Sequence, residues 1–150
     1  MLTPMAEQYD LVVIGSGPGG QRAAIQASKL GKRVAIIEQS DQLGGAALRA
    51  GTIPSKTIKE AAVALTGATR TGVLAGLQPT HRDITFSELV AVAQDVIVAQ
   101  LRVVEDAFVR NRIKVIWGKG RFEDLHTVVA AGTDGEKILT FGTTVMPTSY

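Results

Sequence analysis

The chain has 150 residues, 45% of them hydrophobic, enough to bury one ordinary core, and its length gives no support for a second. Sixteen basic and 14 acidic residues are scattered without a basic run or an interleaved aromatic stripe, so the net charge of +2 argues against a nucleic-acid partner. The absence of cysteine excludes disulfides, thiolate metal sites and catalysis by a cysteine nucleophile or redox dithiol, and any redox chemistry must come from a cofactor.

Residues 1–10 show no basic segment leading into an apolar one, and no stretch approaches the roughly 20 apolar residues of a membrane helix. The expectation is a soluble, cytoplasmic protein with no membrane partner. Leu11-Val12-Val13-Ile14 is an apolar run without polar alternation, as in a strand covered on both faces of a parallel sheet. Ala23, Ala24, Ala27 and Leu30 then recur at helical spacing over Arg22 to Leu30, and Gly31 supplies a left-handed stop. Arg33 to Glu38 reads as a second buried strand, closing a βαβ unit of about thirty residues.

Pro54 suits a first helical turn, with Thr52 as a possible cap, and apolar positions carry the helix to about Gly67. From Ala68 to Arg82 periodicity fades into a surface connection holding Gly72, Gly76 and Pro79. Thr85 to Glu88 has capping-box spacing and opens a long helix to about Arg112. Glu105, Asp106, Arg110 and Arg112 read as a solvated face of it. Lys114 to Trp117 is a third buried strand, with Trp117 expected in the core. Segments near 120–123, 127–131 and 137–141, separated by turn residues, suggest an antiparallel meander. His81 and His126 each stand alone in a turn, so no metal site is expected.

Between the first strand and helix lies Gly15-Ser16-Gly17-Pro18-Gly19-Gly20. In such a turn Gly15 permits the tight bend, Gly17 lets the backbone approach a pyrophosphate, and Gly20 lets the helix pack on the strand, while the helix start offers N–H groups to phosphate. Glu38 ends the second strand 18 residues beyond Gly20. A carboxylate there can accept both hydroxyls of an adenosine ribose and would repel a 2′-phosphate, favouring FAD or NAD over NADP. Its bland alternative is a surface charge at a strand end.

Taken with Leu43-Gly44-Gly45 and Gly51-Thr52-Ile53-Pro54-Ser55-Lys56, these motifs resemble the dihydrolipoamide dehydrogenase and glutathione reductase family of FAD-dependent pyridine nucleotide oxidoreductases, from about Tyr9 to Phe141. The wording of the second loop is most similar to the family's soluble, Si-specific NAD(P)+ transhydrogenase branch. The resemblance implies an α/β fold: a Rossmann-like FAD-binding domain with a parallel sheet and an antiparallel β-meander, incomplete at the C-terminus. It places Gly15 to Gly20, Glu38, Gly44, Gly45, Ala46, Thr52, Lys56 and Gly120 around FAD, with Lys56 near the flavin and Gly120 beside the adenine. The family's two redox cysteines correspond to Ala47 and Thr52. Neither a methyl group nor a hydroxyl replaces a thiolate in disulfide exchange, so no catalytic residue is assigned, and hydride passage from NADPH through FAD to NAD is the reaction left open.

The family continues with a buried parallel strand, a nicotinamide domain and a dimerisation domain. Gly142 to Tyr150 lacks an apolar run, so Leu11 to Ile14 is expected to lose a neighbour and expose an edge. The expected whole is the N-terminal part of a longer, dimeric enzyme that uses NAD(P)H, with no turnover of its own. Three other readings stay open: a non-catalytic flavin or nucleotide binder, an NAD-dependent Rossmann dehydrogenase, and a truncated remnant without ligand.

Overall fold

The computed structural model describes residues 6–49, 51–70, 85–133 and 135–145, with the side chains of 64–70 and of 145 left aside. The chain divides into two compact units, one of Met1–Ala46 with Leu101–Tyr150 and one of Ala47–Gln100. The elements run β1 (Glu7–Ile14), α1 (Pro18–Lys29), β2 (Val34–Glu38), α2 (Gly45–Arg49), α3 (Thr52–Arg70), α4 (Phe86–Arg110), β3 (Lys114–Trp117), β4 (Lys119–Asp124), β5 (Thr127–Gly132) and β6 (Gly135–Val145).

In the first unit six strands form one sheet in the order β3-β2-β1-β6-β5-β4. β1 pairs in parallel with β2 from Leu11↔Val34 to Ile14↔Ile37, and β2 with β3 from Ala35↔Lys114 to Glu38↔Trp117. β4, β5 and β6 are the antiparallel meander. Because strand side chains alternate, Leu11, Val13, Val34 and Ile36 meet Ala24, Val104, Phe108 and Ile113 on the helix side. Val12, Ala35, Ile37 and Ile116 face the opposite way and pack with Val128, Ala130, Leu139 and Phe141 of the meander. The two-sided burial explains the unbroken apolar runs in β1 and β2.

Helix α1 starts at Pro18, four residues ahead of the expected Arg22, and Gly31, with φ 77°, ends it as expected. Between the two, the Gly31 N–H donates to Ser28 O and the Lys32 N–H to Ala27 O, closing the last turn.

The first strand is not an edge. The last strand β6 does not stop at Phe141 but runs on to Val145, and it pairs in parallel with β1 from Glu7↔Leu139 to Val13↔Val145. Pairing rather than hydrophobicity makes this extension a strand: Thr143 and Thr144 are β-branched, and the Thr144 Oγ1 donates to the Val12 carbonyl at 3.0 Å. The same pairing lengthens β1 backwards through polar Glu7, Gln8 and Asp10.

In the second unit, α3 begins at Thr52 itself, so Thr52 is a helical residue and not a cap. Pro54 stays within the first turn, where a missing N–H does no harm, and the Gly51 carbonyl accepts from the Ser55 N–H and Oγ. The helix continues to Arg70, past the expected stop at Gly67; the rest of the expected connection, 71–82 with His81, lies outside the described residues. The capping box at α4 is present, Thr85 N–H donating to Glu88 Oε2 and Glu88 N–H to Thr85 Oγ1.

Candidate functional site

The glycine loop sits at the C-terminal end of β1, tied to β2 by the Gly15 N–H donating to Ile37 O at 2.8 Å. Gly15 adopts φ 103°, a conformation that side chains rarely tolerate. A Cβ on Gly20 would lie 2.1 Å from the Gly15 carbonyl oxygen, so this glycine is required for α1 to lie against the loop. Gly17 differs: a Cβ built there would meet nothing within 4 Å, although its own Cα is 2.9 Å from the place a Cβ on Gly45 would take. The loop therefore has a bare backbone facing open space beside the second glycine pair. Gly17 caps α1 without a side-chain hydrogen bond, Pro18 follows at the first turn, and no acidic residue lies there. The first intrahelical bond is Gln21 N–H to Gly17 O, so the N–H groups of Gly19 and Gly20 precede it and are aimed out of the helix start.

Glu38 is no surface charge; it is 4% exposed at the end of β2. Its Oε2 accepts from the Ser16 N–H at 2.9 Å and the Ser16 Oγ at 2.5 Å, and its Oε1 from the Ser40 N–H at 2.9 Å. Burial pushes this carboxyl's pKa upward, but the hydrogen bonds from Ser16 and Ser40 together outweigh it and hold the group below the ordinary glutamate range. Ser16 Oγ also accepts the Gly44 N–H at 2.9 Å, and Gln21 Nε2 donates to Ser16 O at 2.8 Å. One buried hydroxyl thus joins the glycine loop, the β2 carboxylate and the second glycine pair. The motif spacing pointed to Glu38 but not to this network; its signals were the serine inside the loop and Ser40 two residues past the acid.

Next to Glu38 a cleft of about 770 Å³ opens, lined by Ser40, Asp41, Trp117, Lys119, Ala131 and Thr133 among others. Trp117 is half exposed on its rim and not in the core, because it is the last residue of an edge strand, where β3 ends at the cleft. Gly118 donates its N–H to the Glu38 carbonyl at 2.8 Å, fixing the cleft to the end of β2. Gly120 lies on β4 over Ile14, whose Cγ2 would be 3.2 Å from a Cβ there. Ala46 is exposed within α2, and Thr52 and Lys56 are exposed in the first turns of α3. The structure thus brings together Gly15 to Gly20, Glu38, Gly44 and Gly45. Thr52 and Lys56 belong to the second unit.

His126 is exposed in the β4–β5 turn, its N–H donating to Asp124 Oδ1; Glu105, Asp106 and Arg110 are exposed on α4 as expected, whereas the exposed Arg112 lies past the helix end with φ 53°. Among the described residues no group of three or more His, Asp or Glu could hold a metal ion, and no helix is long and apolar enough to cross a membrane.

A parallel β-α-β unit with a bare glycine turn and a buried strand-end carboxylate defines a dinucleotide-binding class of fold. The sequence pattern of the pyridine nucleotide-disulphide oxidoreductase family matches residues 9–148, and the chain belongs to that family. It is 48% identical over 122 residues to a soluble pyridine nucleotide transhydrogenase of Mycobacterium tuberculosis (strain ATCC 25177 / H37Ra), covering 81% of this chain and 26% of that protein. A soluble pyridine nucleotide transhydrogenase of Marinomonas sp. (strain MWYL1) is 38% identical over 126 residues, covering 80% and 26%. The chain therefore spans about a quarter of the length of these curated relatives. Among solved structures, the Cu(II) complex of the HOCl-induced flavoprotein disulfide reductase RclA from Escherichia coli shares the fold, with a TM-score of 0.77 at 24% identity, covering 97% of this chain and 29% of that one.

Proposed function

We propose that this chain binds FAD and forms the FAD-binding part of a transhydrogenase-like flavoenzyme that passes hydride between NADPH and NAD. The observation that carries this reading is the bare backbone at Gly17, open on one side and adjoined by the uncapped start of α1. A pyrophosphate needs that combination: no side chain in the way, and N–H groups with a positive helix end facing the anion. The residues fit the cofactor. Gly17, Gly19 and Gly20 would hold the pyrophosphate, and Glu38 the ribose next to the cleft of Trp117 and Ser40.

FAD, when bound, supplies the two-electron redox chemistry that no side chain here can supply. The chain's own residues bind and orient it. The buried, hydrogen-bonded carboxylate of Glu38 stays ionised at neutral pH and so disfavours a ribose 2′-phosphate, which selects against NADP at this site. Gly44, whose N–H donates to Ser16 Oγ, and Gly45, packed beside the Gly17 backbone, would flank the pyrophosphate. Ala47 and Thr52 offer no thiolate, so electrons do not leave through a dithiol, and lipoamide or glutathione reduction is not the reaction. Lys56 is assigned to the flavin end by the family resemblance, where a cation would favour the anionic reduced flavin. Nicotinamide binding and dimerisation are assigned to the greater length that the relatives have.

Desalting the chain after mixing with FAD and recording the visible spectrum tests the proposal. Retained yellow protein, with FAD not displaced by NAD at equal concentration, is the expected result; colourless protein that binds NAD instead would replace this reading with a nicotinamide-dependent dehydrogenase. Adding NADPH and NAD to the yellow protein is expected to give no turnover, and measurable hydride transfer would overturn the separation of binding from catalysis.

A further inference from the structure

A carboxylate offers about four lone-pair directions, two on each oxygen. In Glu38 both directions on Oε2 are filled by the Ser16 N–H and Oγ, while Oε1 takes the Ser40 N–H and also interacts with the hydroxyl of partly exposed Ser40, which can turn aside for a ligand. Ser16 is itself fully buried, and its hydroxyl is committed twice, donating to Glu38 and accepting from the Gly44 N–H. It cannot turn towards a ligand without taking a hydrogen bond from the buried carboxylate and leaving the buried Gly44 N–H without its acceptor.

We propose that Ser16 is a positioning residue that reserves Oε2 of Glu38 for the fold, so that an adenine nucleotide is recognised through Oε1 by one ribose hydroxyl and not by both. The inference rests on the reading of this site as an adenine-dinucleotide site. It departs from the simpler expectation, drawn from the sequence, that a strand-end carboxylate takes the two hydroxyls together. The Ser16 hydroxyl is what separates the two cases: without it, one direction on Oε2 becomes free for a second ligand hydroxyl.

The test is calorimetric titration of the chain with ADP, 2′-deoxy-ADP and 3′-deoxy-ADP. With the natural chain, one deoxy compound is expected to bind about tenfold more weakly than ADP, the loss of a hydrogen bond to a charged group, and the other within about twofold. In Ser16→Ala both deoxy compounds are expected to be weakened relative to ADP. A role of Ser16 limited to stability would lower affinity for all three ligands alike and leave their ratios unchanged, which would overturn the proposal. Equal losses for both deoxy compounds in the natural chain would overturn it too, and that comparison does not depend on the variant folding. If ADP itself fails to bind the natural chain, the dinucleotide reading falls along with it; if ADP binds and the ratios disagree, only the role of Ser16 falls.

Discussion

The two glycines at either end of the turn do different work, and substitution separates them. Gly20→Ala would press a methyl group into the Gly15 carbonyl, so it is expected to lower stability by about 1–3 kcal/mol or more, measured by chemical denaturation. Gly17→Ala has room and a φ of −63°, so stability should hold within about 0.5 kcal/mol, while FAD binding weakens about tenfold or more because the methyl group occupies the phosphate's place. Glu38 adds a pH dependence. Its folded pKa lies below its unfolded value near 4.5, so its stabilising contribution is complete above that value and is lost as pH falls through the folded pKa. The thermal midpoint is expected to fall on acidification below pH 4.5, and Glu38→Gln to flatten that decline. Tyr9 acts at the other end of the scale. Burial, reinforced by the Glu7 carboxylate to which its hydroxyl donates a hydrogen bond at 2.6 Å, raises its pKa from 10.0 to about 12. A phenol kept neutral by the fold stabilises fully below its unfolded pKa, so stability should decline between pH 10 and 12, and Tyr9→Phe should remove that decline.

At the scale of elements, β6 shows what the sequence could and could not convey. The β1-α1-β2 unit was legible because two-sided burial writes an apolar run into each strand, and the capping box of α4 because it is a local exchange between Thr85 and Glu88. The second half of β6 was not legible, since Gly142 and Thr143 are exposed and the segment is a strand only because β1 accepts it as a partner. Trp117 departs from its expected core position for a related reason: a large aromatic beside buried Ile116 suggests a core, but the end of an edge strand places it at the cleft. The Ser16 network escaped because it joins residues 22 and 28 positions apart. Hydrogen exchange can check the topology: amides of Leu11 to Val13, paired on both sides, should exchange most slowly, and those of the edge strands β3 and β4 faster. Thr144→Val should lower stability by about 1 kcal/mol through the lost bond to Val12. A chain shortened to end at Phe141 would uncover the upper half of β1 and is expected to aggregate, as light scattering would show.

Across the whole molecule, a sequence without cysteine is joined to a glycine-loop unit with open backbone at Gly17, the features on which the proposed cofactor site rests. The chain belongs to the pyridine nucleotide-disulphide oxidoreductase family and spans about a quarter of the length of its transhydrogenase relatives, so hydride exchange between two nicotinamides belongs to the proposed function of the longer protein. Ala47 and Thr52 offer no thiolate for disulfide exchange, and it is this chemistry that directs the proposed reaction to flavin alone. In the proposed function, the backbone at Gly17 and the Glu38 carboxylate hold the ADP half of FAD. Titrating the chain into FAD while following flavin fluorescence, then chasing with ADP, tests it most directly. Saturation at one FAD per chain, release by ADP, and about tenfold weaker binding in Gly17→Ala with unchanged unfolding are the expected results. Flavin fluorescence that does not respond to the chain, or binding that neither ADP nor Gly17→Ala affects, would contradict it.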